Sequence, residues 1–149
     1  MAIDNLDSPG IQSFIAEHVA EMHRHSPPEQ AYALDFDRLK VPEITFWSAR
    51  INGQLCGCGA LKALGKGRGE IKSMRTAAAF VRCGVAQAVL DEITHAARQR
   101  GYSALVLETG TGAAFDAAHG FYQRNGFAPC EAFGDYESTE FNRFLAKTL

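Results

Sequence analysis

At 149 residues the chain is sized for one domain, 1–149, able to bury roughly 68–70% of the surface its unfolded form exposes. A hydrophobic share of 46% and a charged share of 21% are those of an ordinary soluble globular protein, and 15 basic against 17 acidic residues (net charge -2) argue against a nucleic-acid binder, which carries a basic excess. Met1–Gly10 is polar, with Asp4 and Asp7 where a secretory leader has a basic region and an apolar run, and no apolar stretch approaches the ~20 residues that cross a bilayer, so the expectation is a cytoplasmic protein without membrane contact.

In chain order, Ser8-Pro9 is a helix start, and Ile11, Phe14, Ile15, Val19 and Met22 form an apolar stripe at helical spacing. Ser26-Pro27-Pro28 stops that helix, and residues 35–40 suit one further helical turn. Residues 44–51 read as a strand, Asn52-Gly53 as a two-residue hairpin turn, and 54–64 as the returning strand. Gly57 and Gly59 inside it mark a bulge or a close approach by another backbone. Cys56 and Cys58, two apart, fall on one strand face, a poor disulfide geometry. All four cysteines (with Cys83 and Cys130) are expected as free thiols.

Gly65-Lys66-Gly67-Arg68-Gly69 reads as a second turn and 70–76 as a third strand. Residues 84–100 make the best helix of the chain, with Val85, Val89, Ile93 and Ala96 on one face and Gly101 at its C-terminal stop. A short apolar strand follows at 103–107, then a helix at 113–125 closed by Gly126, and two last strands at 127–130 and 140–147. There is no internal repeat and no low-complexity segment. The order predicts a mixed α/β domain in which strand 70–76 crosses through a helix to a parallel partner at 103–107.

The segment Met74-Arg75-Thr76-Ala77-Ala78-Ala79-Phe80-Val81-Arg82-Cys83-Gly84-Val85-Ala86 carries the most chemistry. It is a strand, a glycine-bearing turn and a helix N-terminus. The first N–H groups of a helix have no partner inside it and point out of its positive end, which makes an anion site. A plain strand-to-helix turn needing glycine for its backbone angles is the competing account.

Four segments together resemble the GNAT superfamily of N-acetyltransferases over nearly the whole chain. They are the 74–86 segment, the strand at 102–107 followed by Glu108-Thr109-Gly110, the run Ala118-His119-Gly120-Phe121-Tyr122-Gln123-Arg124-Asn125-Gly126-Phe127, and the tail Phe133-Gly134-Asp135-Tyr136. Phe133–Tyr136, with Ser26-Pro27-Pro28-Glu29 and Ile71-Lys72-Ser73-Met74-Arg75-Thr76, resembles a bacterial subfamily of small enzymes with undefined substrates. The family's loop commonly reads Arg/Gln-x-x-Gly-x-Gly/Ala. Gly84 and Ala86 keep their places, Val81 stands where Arg or Gln is usual, and Arg82 stands where a second glycine is frequent.

The resemblance implies a GNAT fold, a mixed central sheet flanked by helices with a splayed parallel strand pair, and acetyl-CoA as co-substrate. The N–H groups of Arg82, Cys83, Gly84, Val85 and Ala86 would cradle the CoA pyrophosphate, with Arg82 adding charge. Met74, Arg75 and Thr76 would pair with the pantetheine arm as a peptide strand does. Tyr122 would stand near the CoA sulfur, as cofactor contact and as catalytic acid, since a phenol can share its proton with a departing thiolate. Removal of the amine's proton points to Glu70 or Glu108, each beside a ligand-proximal strand; for both a surface carboxylate is the plainer account. His23 and Ser26, with His25 at the end of the first helix, would wall the acceptor site, as would Tyr136 beside Asp135. The acceptor would be the primary amine of a small molecule, and such folds often form homodimers.

No metal is expected. Glu21 and His25 share a helical face but two residues make no site, and Cys56-Gly57-Cys58 lacks a second ligand pair. Gly65–Gly69 lacks the spacing of a phosphate loop and precedes a strand. Cys83 at a helix N-terminus is placed where thiols grow acidic, though filling a turn suffices to explain it. A non-catalytic acyl-CoA sensor and a ligand-free interaction domain are the rival functions, since Val81 and Arg82 depart from the loop pattern.

Overall fold

The computed structural model describes residues 2–3, 10–25 and 41–149, with side chains for these except 2 and 22–25. Helix α1 (Ile11–His25) follows a two-residue strand β1 (Ala2–Ile3). Then come β2 (Ile44–Ile51), β3 (Gln54–Gly65), β4 (Arg68–Thr76), α2 (Val85–Gln99), β5 (Ala104–Gly110), α3 (Asp116–Arg124), β6 (Ala128–Pro129) and β7 (Asn142–Thr148). The helix stop at Ser26-Pro27-Pro28 and the turn at 35–40 lie outside the described residues.

One sheet runs β1-β2-β3-β4-β5-β7-β6, and every neighbouring pair is antiparallel except β4 with β5. Asn52 (φ 50) and Gly53 (φ 79) close the β2–β3 hairpin with the two positive φ values of a type I′ turn. The next turn is tighter than the sequence suggests. Lys66 (φ 55) and Gly67 (φ 74) make a second turn of the same kind, so β4 already starts at Arg68.

The parallel pair decides where a ligand can go. β4 and β5 are in register only from Arg68↔Ala104 to Ile71↔Leu107. Beyond that point β4 stays with β3 as far as Gly57↔Thr76, while β5 stays with β7 as far as Gly110↔Asn142. The two strands therefore part, and backbone groups on facing edges lose their ladder partners.

Core clusters cover both faces. On one, Val85, Val89, Leu90, Ile93 and Ala97 of α2 pack on Trp47, Leu61, Ile71, Leu105 and Leu107, with Tyr122 and Phe127. On the other, Ile11, Phe14 and Ile15 of α1 pack on Phe46, Cys58 and Ala60, and farther along Phe133 and Phe144 close over Val106. Gly57 and Gly59 let α2 approach: a Cβ on Gly57 would stand 2.5 Å from Val85 Cγ1, and one on Gly59 would stand 2.6 Å from Met74 Sδ and from Val89 Cγ1.

Cys56 and Cys58 do not share a face. The β2–β3 register shifts between Ala49 and Arg50, Cys56 joins the α2-side core, and Cys58 joins the α1-side core. An extra residue in one strand of a pair inverts the alternation beyond it. Neither cysteine is in a disulfide, nor are Cys83 and Cys130. The helix expected over 113–125 is a 3-10 turn (Ala113–Phe115) followed by α3. Phe115 leaves helical geometry (φ -108, ψ 0) and its ring fills the space over Gly110, 2.5 Å from where a Cβ would be. The strand expected over 127–130 shrinks to Ala128–Pro129: the Phe127 N–H is taken by the Tyr122 carbonyl at 3.0 Å, and past Pro129 one bond remains, from the Cys130 N–H to the Phe144 carbonyl at 2.9 Å.

Candidate active site

Where β4 and β5 part, a cleft of about 730 Å³ opens between the N-terminus of α2 and the side of α3. Its wall on β4 is Met74, Arg75 and Thr76; on the loop and α2 it is Phe80 to Arg82 and Gly84 to Gln87; on α3 it includes Phe121, Tyr122, Arg124 and Asn125. Arg82 (φ 62) and Gly84 (φ 81) both take the left-handed conformation, and the first bond of α2 is from the Ala88 N–H to the Gly84 carbonyl at 3.0 Å. The N–H groups of Val85, Ala86 and Gln87 precede that bond and have no acceptor within the helix. No acidic residue lines the cleft among the described residues, whereas Arg82 and Arg124 do. An anion placed here would meet backbone dipoles reinforced by guanidinium charge.

Two side-chain arrangements fix the cleft's shape. Gln87 of α2 and Asn125 at the end of α3 exchange amide hydrogen bonds, Gln87 Nε2 to Asn125 Oδ1 at 2.8 Å and Asn125 Nδ2 to Gln87 Oε1 at 3.1 Å. Tyr122 is buried to 6% exposure and held edge-on between Phe121 and Phe127, with ring centroids 5.2 and 5.4 Å away. Burial pushes its phenol well above the usual tyrosine range, so it keeps its proton.

The opposite face of the parting strands carries a polar cluster. Glu70 on β4 is 2% exposed. Lys72, two residues on and so on the same face, places Nζ 3.0 Å from Glu70 Oε2. Tyr136, between β6 and β7, donates its hydroxyl to the same Glu70 oxygen at 2.5 Å and accepts from Lys72 Nζ at 2.6 Å. Glu108 on β5 stands beside this triangle. Desolvation pushes its carboxyl up to about 7; Lys72 and a hydrogen bond from Asn142 oppose that rise, and Glu70 adds to it. Asn142 is itself buried, donates to the Glu137 carbonyl and accepts from the Thr139 N–H, each at 2.9 Å.

Residues 12–127 match the acetyltransferase (GNAT) family. The chain is 47% identical over 146 residues to the uncharacterised N-acetyltransferase YedL of Escherichia coli K12, covering 98% of this chain and 92% of that protein. The chain belongs to the GNAT family. It superposes on a solved structure from Klebsiella pneumoniae with a TM-score of 0.83 at 26% identity, over 99% of this chain and 95% of the other. A GNAT acetyltransferase from Elizabethkingia anophelis, solved with acetyl-CoA bound, shares the fold at a TM-score of 0.65 and 18% identity, over 87% and 90% of the two chains. This GNAT chain is accordingly an acyl-CoA-dependent N-acetyltransferase.

Against the expected site residues, the GNAT cleft gathers Met74, Arg75, Thr76, Arg82, Gly84, Val85, Ala86 and Tyr122 along one wall system. Cys83 is exposed, its Sγ 3.6 Å from the Val81 carbonyl, and is not among the cleft-lining residues. The Arg75 side chain turns to the other face: its guanidinium lies 5.5 Å over the Phe14 ring and 3.9 Å from Glu17, which leaves its backbone for the cleft. Glu70 and Glu108 are not surface carboxylates; the first is sealed and paired, the second half-buried. Tyr136 reaches this face, with its hydroxyl committed to Glu70 and Lys72. The His23 side chain and Ser26 lie outside the described residues. Lys72, Gln87, Arg124, Asn125 and Asn142 were not anticipated; the Glu70-x-Lys72 spacing, which puts opposite charges on one strand face, was the available signal for Lys72.

Proposed function

We propose that this N-acetyltransferase moves an acetyl group from acetyl-CoA directly onto the primary amine of a small molecule. What carries the reading is the parting of β4 and β5 at Ile71 and Leu107, which lets an anion-binding cleft on one face meet an acid-bearing cluster on the other. The pyrophosphate lies on the N–H groups of Arg82 and 84–86; that of Cys83, expected to join them, is already donated to the Phe80 carbonyl at 3.3 Å. The pantetheine arm pairs with the open edge at Met74–Thr76, as an added strand would. This brings the thioester to the level of Tyr122.

The amine nitrogen attacks the thioester carbonyl from the side of Glu108. A C–N bond forms as the C–S bond breaks, and a β4 N–H stabilises the oxyanion between these events. Glu108 takes the amine's proton, being the carboxylate with capacity to spare; Glu70 is already engaged by Lys72 and Tyr136. Tyr122, protonated throughout its working range, passes its phenolic proton to the departing thiolate to give CoA thiol and is reprotonated from solvent, while Glu108 releases the amine's proton there, so both residues end as they began. Tyr136 borders the acceptor.

Thermal unfolding with and without acetyl-CoA tests the first half. At 100 times Kd, binding stabilises by about 2.7 kcal/mol, a rise in Tm of roughly 5–11 °C for a chain of this size. Release of CoA thiol with a panel of small amines tests the second half. No Tm rise at millimolar acetyl-CoA refutes the cofactor site, and a rise without turnover of any amine favours a sensor.

A further inference from the structure

Lys72 presents an energetic problem. Its side chain is 8% exposed and that of its partner Glu70 is 3% exposed, so both charges have left water. Desolvating such a pair costs about as much as the attraction returns, and an apolar pair of similar volume would serve stability as well or better. The ammonium is nonetheless fixed from two sides, by Glu70 Oε2 and by the Tyr136 hydroxyl. The Tyr136 ring is itself locked between Phe133 and Phe144, with centroids 5.3 and 5.8 Å away. Strand β4 thus offers a cation whose position is set by two elements.

The register of β4 with β5 (Glu70↔Val106, Ile71↔Leu107) puts Lys72 and Glu108 one step beyond the last pair and on the same sheet face, with Glu70 before Lys72 on β4, Asn142 across from Gly110 on β7, and Tyr136 bonded to Lys72. Glu70 spends its charge on Lys72, and Asn142 is a neutral donor already tied to Glu137 and Thr139. We infer that Lys72 is a positioning residue for Glu108: pinned by Glu70 and Tyr136, its ammonium is the charge against which the Glu108 carboxylate forms. Burial drives Glu108 to hold its proton, and Lys72 limits that drive so the carboxylate is available near neutrality. The inference rests on reading Glu108 as the acceptor of the amine's proton.

The test needs no acceptor substrate. The full chain is labelled with ¹³C at glutamate carboxyls and titrated by NMR from pH 4 to 9, the Glu108 resonance being assigned by its loss in Glu108→Gln. The native midpoint is expected at about 7. Lys72→Met should move it up by about one pH unit or more, and Lys72→Arg should return it to the native value. A Lys72→Met midpoint within about 0.3 of native overturns the inference, since removing a nearby opposite charge should cost more than that. Lys72→Gln is the second neutral variant; if both neutral variants lose the folded amide spectrum, Lys72 is structural and the inference falls. A native midpoint near the ordinary ~4.3 instead removes Glu108 from proton transfer, whatever Lys72 does.

Discussion

The two faces of the sheet at the parting of β4 and β5 are made of different materials. The α2–α3 face is a backbone site: an open strand edge, a loop with two left-handed residues and the free N–H groups of a helix, with guanidinium charge added at its rim. The opposite face is a side-chain site, in which Glu70, Lys72, Glu108, Tyr136 and Asn142 come from β4, β5, β7 and the segment before β7. A backbone site tolerates changes of side chain, provided that glycine stays where φ demands it. A side-chain site fails when one member is lost, because each buried polar group is satisfied by another. On the proposed function, cofactor binding should survive Val81 and Arg82, while acceptor choice and proton uptake should hang on individual residues.

Tyr122→Phe is the sharpest cut between the faces. It should lower kcat by about 10²–10⁴-fold while leaving acetyl-CoA affinity nearly unchanged, and steady-state kinetics beside calorimetric binding would show the split. An unchanged kcat removes Tyr122 from the mechanism. Next, Gly84→Glu strains a φ of 81 and aims a carboxylate into the N–H cradle. Acetyl-CoA Kd should rise by about 100-fold, or roughly 2.7 kcal/mol; normal binding would mean the cradle is elsewhere.

Glu108→Gln probes the side-chain face through stability. Below pH 4.5 the carboxyl is protonated folded or unfolded, so it contributes no pH dependence. Between 4.5 and about 7 the unfolded chain releases the proton and the folded chain keeps it, so native stability falls as pH rises. Glutamine cannot ionise, and the variant should gain on the native protein across that window, by about 1–3 kcal/mol at pH 8. Denaturant unfolding at pH 4 and pH 8 measures it, and an equal difference at both pH values contradicts the burial of that charge. Arg82→Gly should do least. Removing a left-handed arginine relieves about 1 kcal/mol, the added freedom of unfolded glycine takes some back, and one exposed charge is worth at most ~1 kcal/mol in Kd. A hundredfold loss of acetyl-CoA affinity would break the comparison, since a side chain would then dominate the cofactor face.

The same division explains what could be read in advance. The gathering of the α2–α3 cleft was legible because its determinants are local: Gly84 before an apolar helical stripe, a strand before it, and Tyr122 ahead of Gly126-Phe127. Asn52-Gly53 announced its turn and its type, whereas the turn within Gly65–Gly69 was legible but not its tightness, because lysine is not a residue that advertises positive φ. The opposite faces of Cys56 and Cys58 turn on a register shift, which pattern alone does not reveal. The helix break at Phe115 depends on the bare surface of Gly110, a contact between separate elements. The pairing of Glu70 with Tyr136, 66 residues away, was likewise unreadable, although each had been singled out alone.

The reciprocal amide bonds between Gln87 and Asn125 have a kinetic consequence. They fasten the two helices that flank the cleft at a set spacing before anything binds. A binding slot that stands ready needs no slow opening step, so capture should be governed by encounter and orientation, and stopped-flow rates should climb in proportion to acetyl-CoA concentration without levelling off. Differences in how long the cofactor stays then fall on the departure rate, where the hold of the N–H cradle is felt.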